Sequence, residues 1–90
     1  MAIVFDREKS ARNVVERGLA FALVGELEWR TALLRVDNRR DYGEVRIQVW
    51  AIRNGRLYAA VVTPRGSDLR VISFRKANKR EVKAYEAARR

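Results

Sequence analysis

Asn54-Gly55 constrains the fold of this chain more than any other pair of residues. Both central residues of a type I′ turn need positive φ, which asparagine tolerates and glycine adopts freely. The runs on either side, Glu44 to Ile52 and Arg56 to Thr63, are rich in valine, isoleucine, leucine and aromatics, so the pair predicts a tight hairpin. A two-residue turn places Arg53 opposite Arg56 and sets the register outward from there. Val45, Ile47, Val49 and Ala51 then share a face with Tyr58, Ala60 and Val62. Arg46, Gln48, Trp50 and Ile52 share the other face with Leu57, Ala59 and Val61.

Thr63-Pro64-Arg65-Gly66 suits a type I turn, with proline second and glycine fourth. A turn of two or four residues there carries the alternation into a last strand, Leu69 to Lys76. Leu69, Val71 and Ser73 join the first face; Arg70, Ile72, Phe74 and Lys76 join the second. A bulge at Gly66 would break this assignment. Thr31 to Val36 reads as a further strand, and Asn38 to Gly43 as a charged loop.

The ends of the chain have a helical period. Asp6 suits an N-cap for a helix from Arg7 to Arg17, with Ala11, Val14 and Val15 as its apolar stripe and Gly18 as its left-handed terminator. Ala20, Leu23, Val24 and Leu27 predict a second short helix. Asn78 and Glu81 form a capping pair that opens a closing helix with Val82, Tyr85 and Ala88 on one stripe. Met1 to Phe5 reads as a short strand or extended arm. The expected architecture is therefore α+β, with two N-terminal helices, a four-stranded antiparallel meander and a C-terminal helix, in one domain over 1–90.

Composition narrows the chemistry. The chain has neither cysteine nor histidine, which removes disulfides, thiolate or imidazole metal ligands and every catalytic pair that needs them. No cofactor motif or metal-ligand spacing is present, and a cytoplasmic address fits the missing cysteine. The opening Met1–Asp6 lacks a charged lead and a long apolar run, so it reads as a mature start. No apolar stretch reaches membrane-spanning length, and the alanine-rich closing helix is a poor membrane anchor. The net charge is +9, and nine bases against three acids lie between Arg65 and Arg90. Such a balance points to a polyanionic partner.

The second sheet face combines Trp50, Ile72 and Phe74 with Arg46, Gln48, Arg70 and Lys76. Cations on a rigid sheet hold phosphates, and aromatics stack unpaired bases. RNA brings its own nucleophile, the 2′-hydroxyl. A protein need only align it, move protons and stabilise the added phosphate charge. The same surface also fits a non-catalytic module that binds nucleic acid or an acidic partner. Glu81 reads as a capping acid, and Tyr85 and Trp50 as packing residues, as readily as functional ones.

Asp37 to Arg46, Asp-Asn-Arg-Arg-Asp-Tyr-Gly-Glu-Val-Arg, resembles the D-x-R-x-x-Y-G-E-x-R stretch of BrnT-type toxins. Arg70 to Ala77, Arg-Val-Ile-Ser-Phe-Arg-Lys-Ala, resembles the family's R-I-I-S-A-R-K-A. The Glu81–Tyr85 spacing and the early Phe5-Asp6, Asn13 and Gly18 extend the likeness. The chain departs where the family commonly has Lys-His-Gly and this chain has Glu16-Arg17-Gly18, and where Phe74 replaces a small alanine. The resemblance implies a RelE-like fold with a small curved sheet and growth-halting RNA cleavage. It also implies neutralisation by a BrnA-type antitoxin that brings operator-DNA binding, in a complex with two copies of each chain. With the basic face, it nominates Arg70, Arg75 and Lys76 for phosphate and transition-state contacts, and Glu81 and Tyr85 for proton transfer or positioning. Arg46, Lys79 and Lys83 are nominated for the RNA backbone, and Trp50 for stacking.

Overall fold

In the computed structural model, which describes residues 2–89, two hairpins build the sheet. Met1 and Arg90, counted above in the opening strand and the terminal charge, lie outside the described residues. The elements in order are β1 (Ile3–Val4), α1 (Arg7–Arg17), 3-10 segments at Phe21–Glu26 and Trp29–Thr31, and β2 (Leu33–Val36). There follow β3 (Ile47–Arg53), β4 (Arg56–Arg65), β5 (Asp68–Lys76) and α2 (Lys79–Ala88). Asn54 and Gly55 take φ of 51° and 75°, and Arg53 faces Arg56, so β3 and β4 pair in the register that the turn dictates.

The architecture remains α+β, but three expected features are replaced. The sheet has five strands in the order β1-β5-β4-β3-β2, and it is mixed rather than antiparallel. Ile3 and Val4 pair in parallel with Leu69 and Arg70, where the outer edge of β5 offers its free hydrogen-bonding groups. The second N-terminal α-helix is absent. Phe21, Val24 and Leu27 are the residues buried there, at 3%, 0% and 5% exposure. That spacing of three is the 3-10 period, not the 3.6-residue period that the run suggested. The type I turn at Pro64 is also absent. β4 runs on through Pro64 to Arg65, which faces Asp68 across a two-residue Gly66-Ser67 turn. Gly66 has φ of 59°, as the first central residue of a type II′ turn requires.

A β-bulge in β5 changes what faces where. Val62 faces Val71 but Val61 faces Ser73, so Ile72 is an extra residue with no opposite number. Leu69 and Val71 keep the expected core side. Beyond the bulge the faces exchange: Phe74 turns into the core at 1% exposure, and Ser73 and Arg75 take the second face. Lys76, expected on the second face, stands opposite Tyr58 on the core side, exposed at the strand end.

The core lies on the first face. Val49, Ala51, Tyr58, Ala60, Val62, Val71 and Phe74 pack against Leu19, Phe21, Val24 and Leu27. α1 has the expected caps: Asp6 Oδ1 accepts from the amides of Glu8 and Lys9 at 2.9 and 3.1 Å, and Gly18 at φ 71° donates its N–H to Val14. Its attachment is unexpected. Val14 and Val15 are 46% and 86% exposed, whereas Ser10 and Asn13 face inward. Asn13 Nδ2 donates to the carbonyls of Leu19 at 2.9 Å and Phe74 at 3.0 Å, and Ser10 Oγ accepts from the Phe21 amide at 3.0 Å. Hydrogen bonds thus attach α1 to the core where an apolar stripe was expected, and they turn its basic residues toward the sheet.

Candidate nucleic-acid interface

Because α1 hangs on Asn13 beside β5, it walls a cleft of about 440 Å3 over the open half of the second face. The floor is Gln48, Ala59, Val61 and Ser73, supplied by strand alternation and, for Ser73, by the bulge. Lys9, Arg12, Glu16 and Arg17 line the α1 side. Lys9, Glu16 and Arg17 sit three or four residues from Asn13, and Arg12 adjoins it, so the residue that anchors the helix also aims them. Trp50, Arg75 and Arg39 close the opposite end. Five cations therefore surround the cleft, with Glu16 as the one carboxylate in its lining.

Arg39 comes from the loop before β3, and Asp37 organises that loop. Asp37 is 5% exposed, and its oxygens accept from Arg39 Nε at 2.8 Å, Arg39 Nη2 at 2.7 Å and the Tyr42 hydroxyl at 3.2 Å. The Arg39 guanidinium holds this carboxyl far below the usual carboxylate range. Arg46 stacks on Tyr42 at 4.1 Å and pairs with Glu44 at 3.1 Å, which pins the far end of the loop. In the Asp37–Arg46 stretch, Asp37, Tyr42, Glu44 and Arg46 thus build a frame, and Arg39 is the member it presents to the cleft.

At the cleft's end, Arg75 and Glu81 form a two-point pair, Nη1 to Oε1 at 2.7 Å and Nη2 to Oε2 at 2.9 Å. The same carboxylate accepts from Trp50 Nε1 at 2.8 Å and from the Asn78 amide at 3.0 Å. Asn78 Oδ1 in turn accepts from the Glu81 amide at 2.8 Å, completing the capping box of α2. The Arg75 guanidinium, helped by Trp50 and Asn78, lowers the Glu81 pKa from 4.5 to about 2, against the opposing effect of burial. So low a value with both oxygens engaged makes a weak proton acceptor at neutral pH; it suits holding Arg75 and Trp50 in place. Arg75 is held charged by Glu81, with its side chain 40% exposed to the cleft.

The structure brings together Trp50, Arg75 and Glu81 among the nominated residues and disperses the others. Arg70 stands opposite Thr63 and lines a separate hollow with Phe5, Asp6 and Arg65. Tyr85 is buried at 5%, its hydroxyl donating to the Thr31 carbonyl at 2.8 Å, so it fastens α2 to the 3-10 segment that precedes β2. Lys79 and Lys83 lie along α2 by Ile52 and Leu57, outside the cleft. Lys76 is on the core side, and Arg46 is committed to Tyr42 and Glu44. Lys9, Arg12, Arg17, Arg39 and Ser73 line the cleft without having been singled out, and Gln48 lies there on the face expected of it. Lys9, Arg12 and Arg17 make no ion pair among the described residues. The signal for them was the continuous polar face of the α1 sequence, set aside in favour of its three apolar residues. Among the described residues, no group of three or more metal-ligating side chains gathers, and no helix is long and apolar enough to cross a membrane.

A family model described as "Ribonuclease toxin, BrnT, of type II toxin-antitoxin system" matches residues 5–81. That span holds α1, the sheet from β2 to β5 and every cleft residue named above through Glu81. No curated protein and no solved structure matches the chain.

Proposed function

The chain belongs to the BrnT family of ribonuclease toxins of type II toxin–antitoxin systems, and on that premise we propose that the cleft between α1 and the sheet is where it binds and cleaves RNA. The observation that carries this reading is the grouping of five cations and Trp50 around one cleft of about 440 Å3. Arg75, Arg39 and Arg12 contact the phosphates and stabilise charge that develops on the scissile group. Trp50, held through its Nε1 by Glu81, offers a ring face for stacking, and Glu81 acts by positioning Arg75. The substrate's 2′-hydroxyl attacks its neighbouring phosphate. Glu16, the cleft carboxylate with no hydrogen bond to a side chain among the described residues, accepts the hydroxyl proton, and the departing 5′ oxygen takes a proton from solvent. This chemistry needs no metal ion.

The cell biology follows from the family. Cleavage halts growth in the cytoplasm until a BrnA-type antitoxin binds, in a complex with two copies of each chain that reaches operator DNA through the antitoxin. The test is purified protein incubated with single-stranded RNA in EDTA. The expected result is cleavage that Arg75→Ala reduces by about 10²-fold or more; intact RNA at high excess of folded protein refutes the reading. Non-catalytic RNA binding is the second reading, favoured by one observation, the full engagement of the Glu81 carboxylate. It predicts salt-sensitive binding with no cleavage.

A further inference from the structure

Three apolar side chains outside the cleft have little over them: Leu34, Val36 and Val45 are 59%, 53% and 58% exposed. Leu34 and Val36 belong to β2, the last strand of the sheet, and stand opposite Val49 and Ile47 on the core face. Arg35 lies between them on the other face, its Nε donating to Gln48 Oε1 at 3.1 Å and its guanidinium 5.4 Å from the Trp50 ring centroid. No strand lies beside the outer edge of β2 among the described residues, so its backbone groups there are free to pair. Such an edge, apolar on one face, is a template for strand addition.

Charge selects the occupant. Arg30 precedes β2, Arg35 is in it, and Arg39 and Arg40 follow. Of the acids that follow the strand, Asp37 and Glu44 are paired with Arg39 and Arg46, and Asp41 accepts from the Gly43 amide, so the cations outnumber the unpaired acid. A second copy of this chain would bring another +9 to the edge. We propose that β2 is a docking strand for an extended acidic segment of a partner protein. Every second side chain of that segment is apolar, against Leu34 and Val36, and the intervening ones are acidic, toward Arg35. The alternation follows from the two-residue period of a strand and the contacts between neighbouring strands.

The test titrates isotopically labelled full-length protein, without RNA, with a synthetic peptide of about eight alternating valines and glutamates. Amide shifts are expected in Leu33–Val36 and in the facing residues Ile47–Trp50. Val36→Asp, which removes the apolar contact and repels the peptide's carboxylates, should weaken binding by about tenfold or more with Tm little changed, because the Val36 side chain is exposed. A peptide with lysine for glutamate, and one N-methylated along its pairing edge, should both fail to bind. The inference is overturned by any of four results: no shifts at millimolar peptide, shifts confined to Lys9, Arg12 and Arg75, equal binding of the N-methylated peptide, or β2 shifts with an RNA oligonucleotide but not with the peptide.

Discussion

Replacing Asn13 with alanine tests how α1 is held and therefore whether the cleft exists as described. The Asn13 side chain donates two hydrogen bonds, to Leu19 O at 2.9 Å and Phe74 O at 3.0 Å, from a position 7% exposed. Its loss leaves two buried carbonyls without these donors, at about 1 kcal/mol or slightly more each, so the variant should lose about 2–3 kcal/mol. For a domain of this size that corresponds to a fall in Tm of roughly 10–20 °C. Urea unfolding followed by tryptophan fluorescence measures it. Asn13→Leu separates this account from an apolar attachment: it adds apolar bulk at the same place, so it would stabilise a helix held by greasy contacts but should cost as much as alanine here. Val15→Ser should change stability by less than about 0.5 kcal/mol, since Val15 is 86% exposed. A loss below about 0.5 kcal/mol for Asn13→Ala, or a Val15→Ser cost equal to it, refutes the reasoning.

The Glu81 carboxyl is lowered from 4.5 to about 2 by Arg75, so its contribution to stability is fully present above pH 4.5 and is lost as pH falls toward 2. Acid titration of Glu81→Gln should show less loss of stability across that window than the parent, and an unchanged acid limb would contradict the pairing. Deleting Ile72 should leave the fold intact, because it joins Val71 to Ser73 and keeps every pair on both sides of the bulge; the cost should be no more than about 2 kcal/mol of lost burial. Were β5 unbulged, the same deletion would turn Phe74 out of the core and the protein would not fold, which circular dichroism would reveal. Lys9→Gln should reduce the salt slope of single-stranded RNA binding by about 0.7; an unchanged slope would remove Lys9 from the contact.

The sequence speaks clearly where structure is local. Asn54-Gly55, the Asp6 and Gly18 caps and the Asn78–Glu81 capping box depend on neighbours a few residues apart, and each forms as read. The misreadings have distant causes. Asn13 is buried against an acceptor, Phe74 O, that is 61 residues away, so the polar face of α1 is visible in the sequence but nothing local says that it turns inward. The strand read near the start of the chain is there at Ile3–Val4, but its parallel place in the sheet depends on the edge that β5 presents to it. The bulge at Ile72 uses no glycine and leaves no mark in the run Arg-Val-Ile-Ser-Phe, yet it decides that Phe74 is core and that Arg75 faces the cleft. The site follows the same division. Trp50, Arg75 and Glu81 lie together as a triad of side chains; Arg70 keeps its expected face but stands far along β5, opposite Thr63, and Lys76 was grouped with them by an alternation that the bulge interrupts. Arg39 was hidden in a loop whose shape depends on the burial of Asp37.

The central claim is that RNA is handled in the cleft beneath α1 and not along the basic strand and helix outside it. Cleavage of one single-stranded RNA in EDTA, compared across Arg12→Ala, Arg17→Ala and Arg70→Ala, tests this directly, since Arg12 and Arg17 line the cleft and Arg70 lines a separate hollow. The account predicts that the two cleft variants each lose about tenfold or more in kcat/KM, at least 1.4 kcal/mol of transition-state binding, while Arg70→Ala stays within about threefold of the parent. Loss of activity in Arg70→Ala with both cleft variants unimpaired would contradict it.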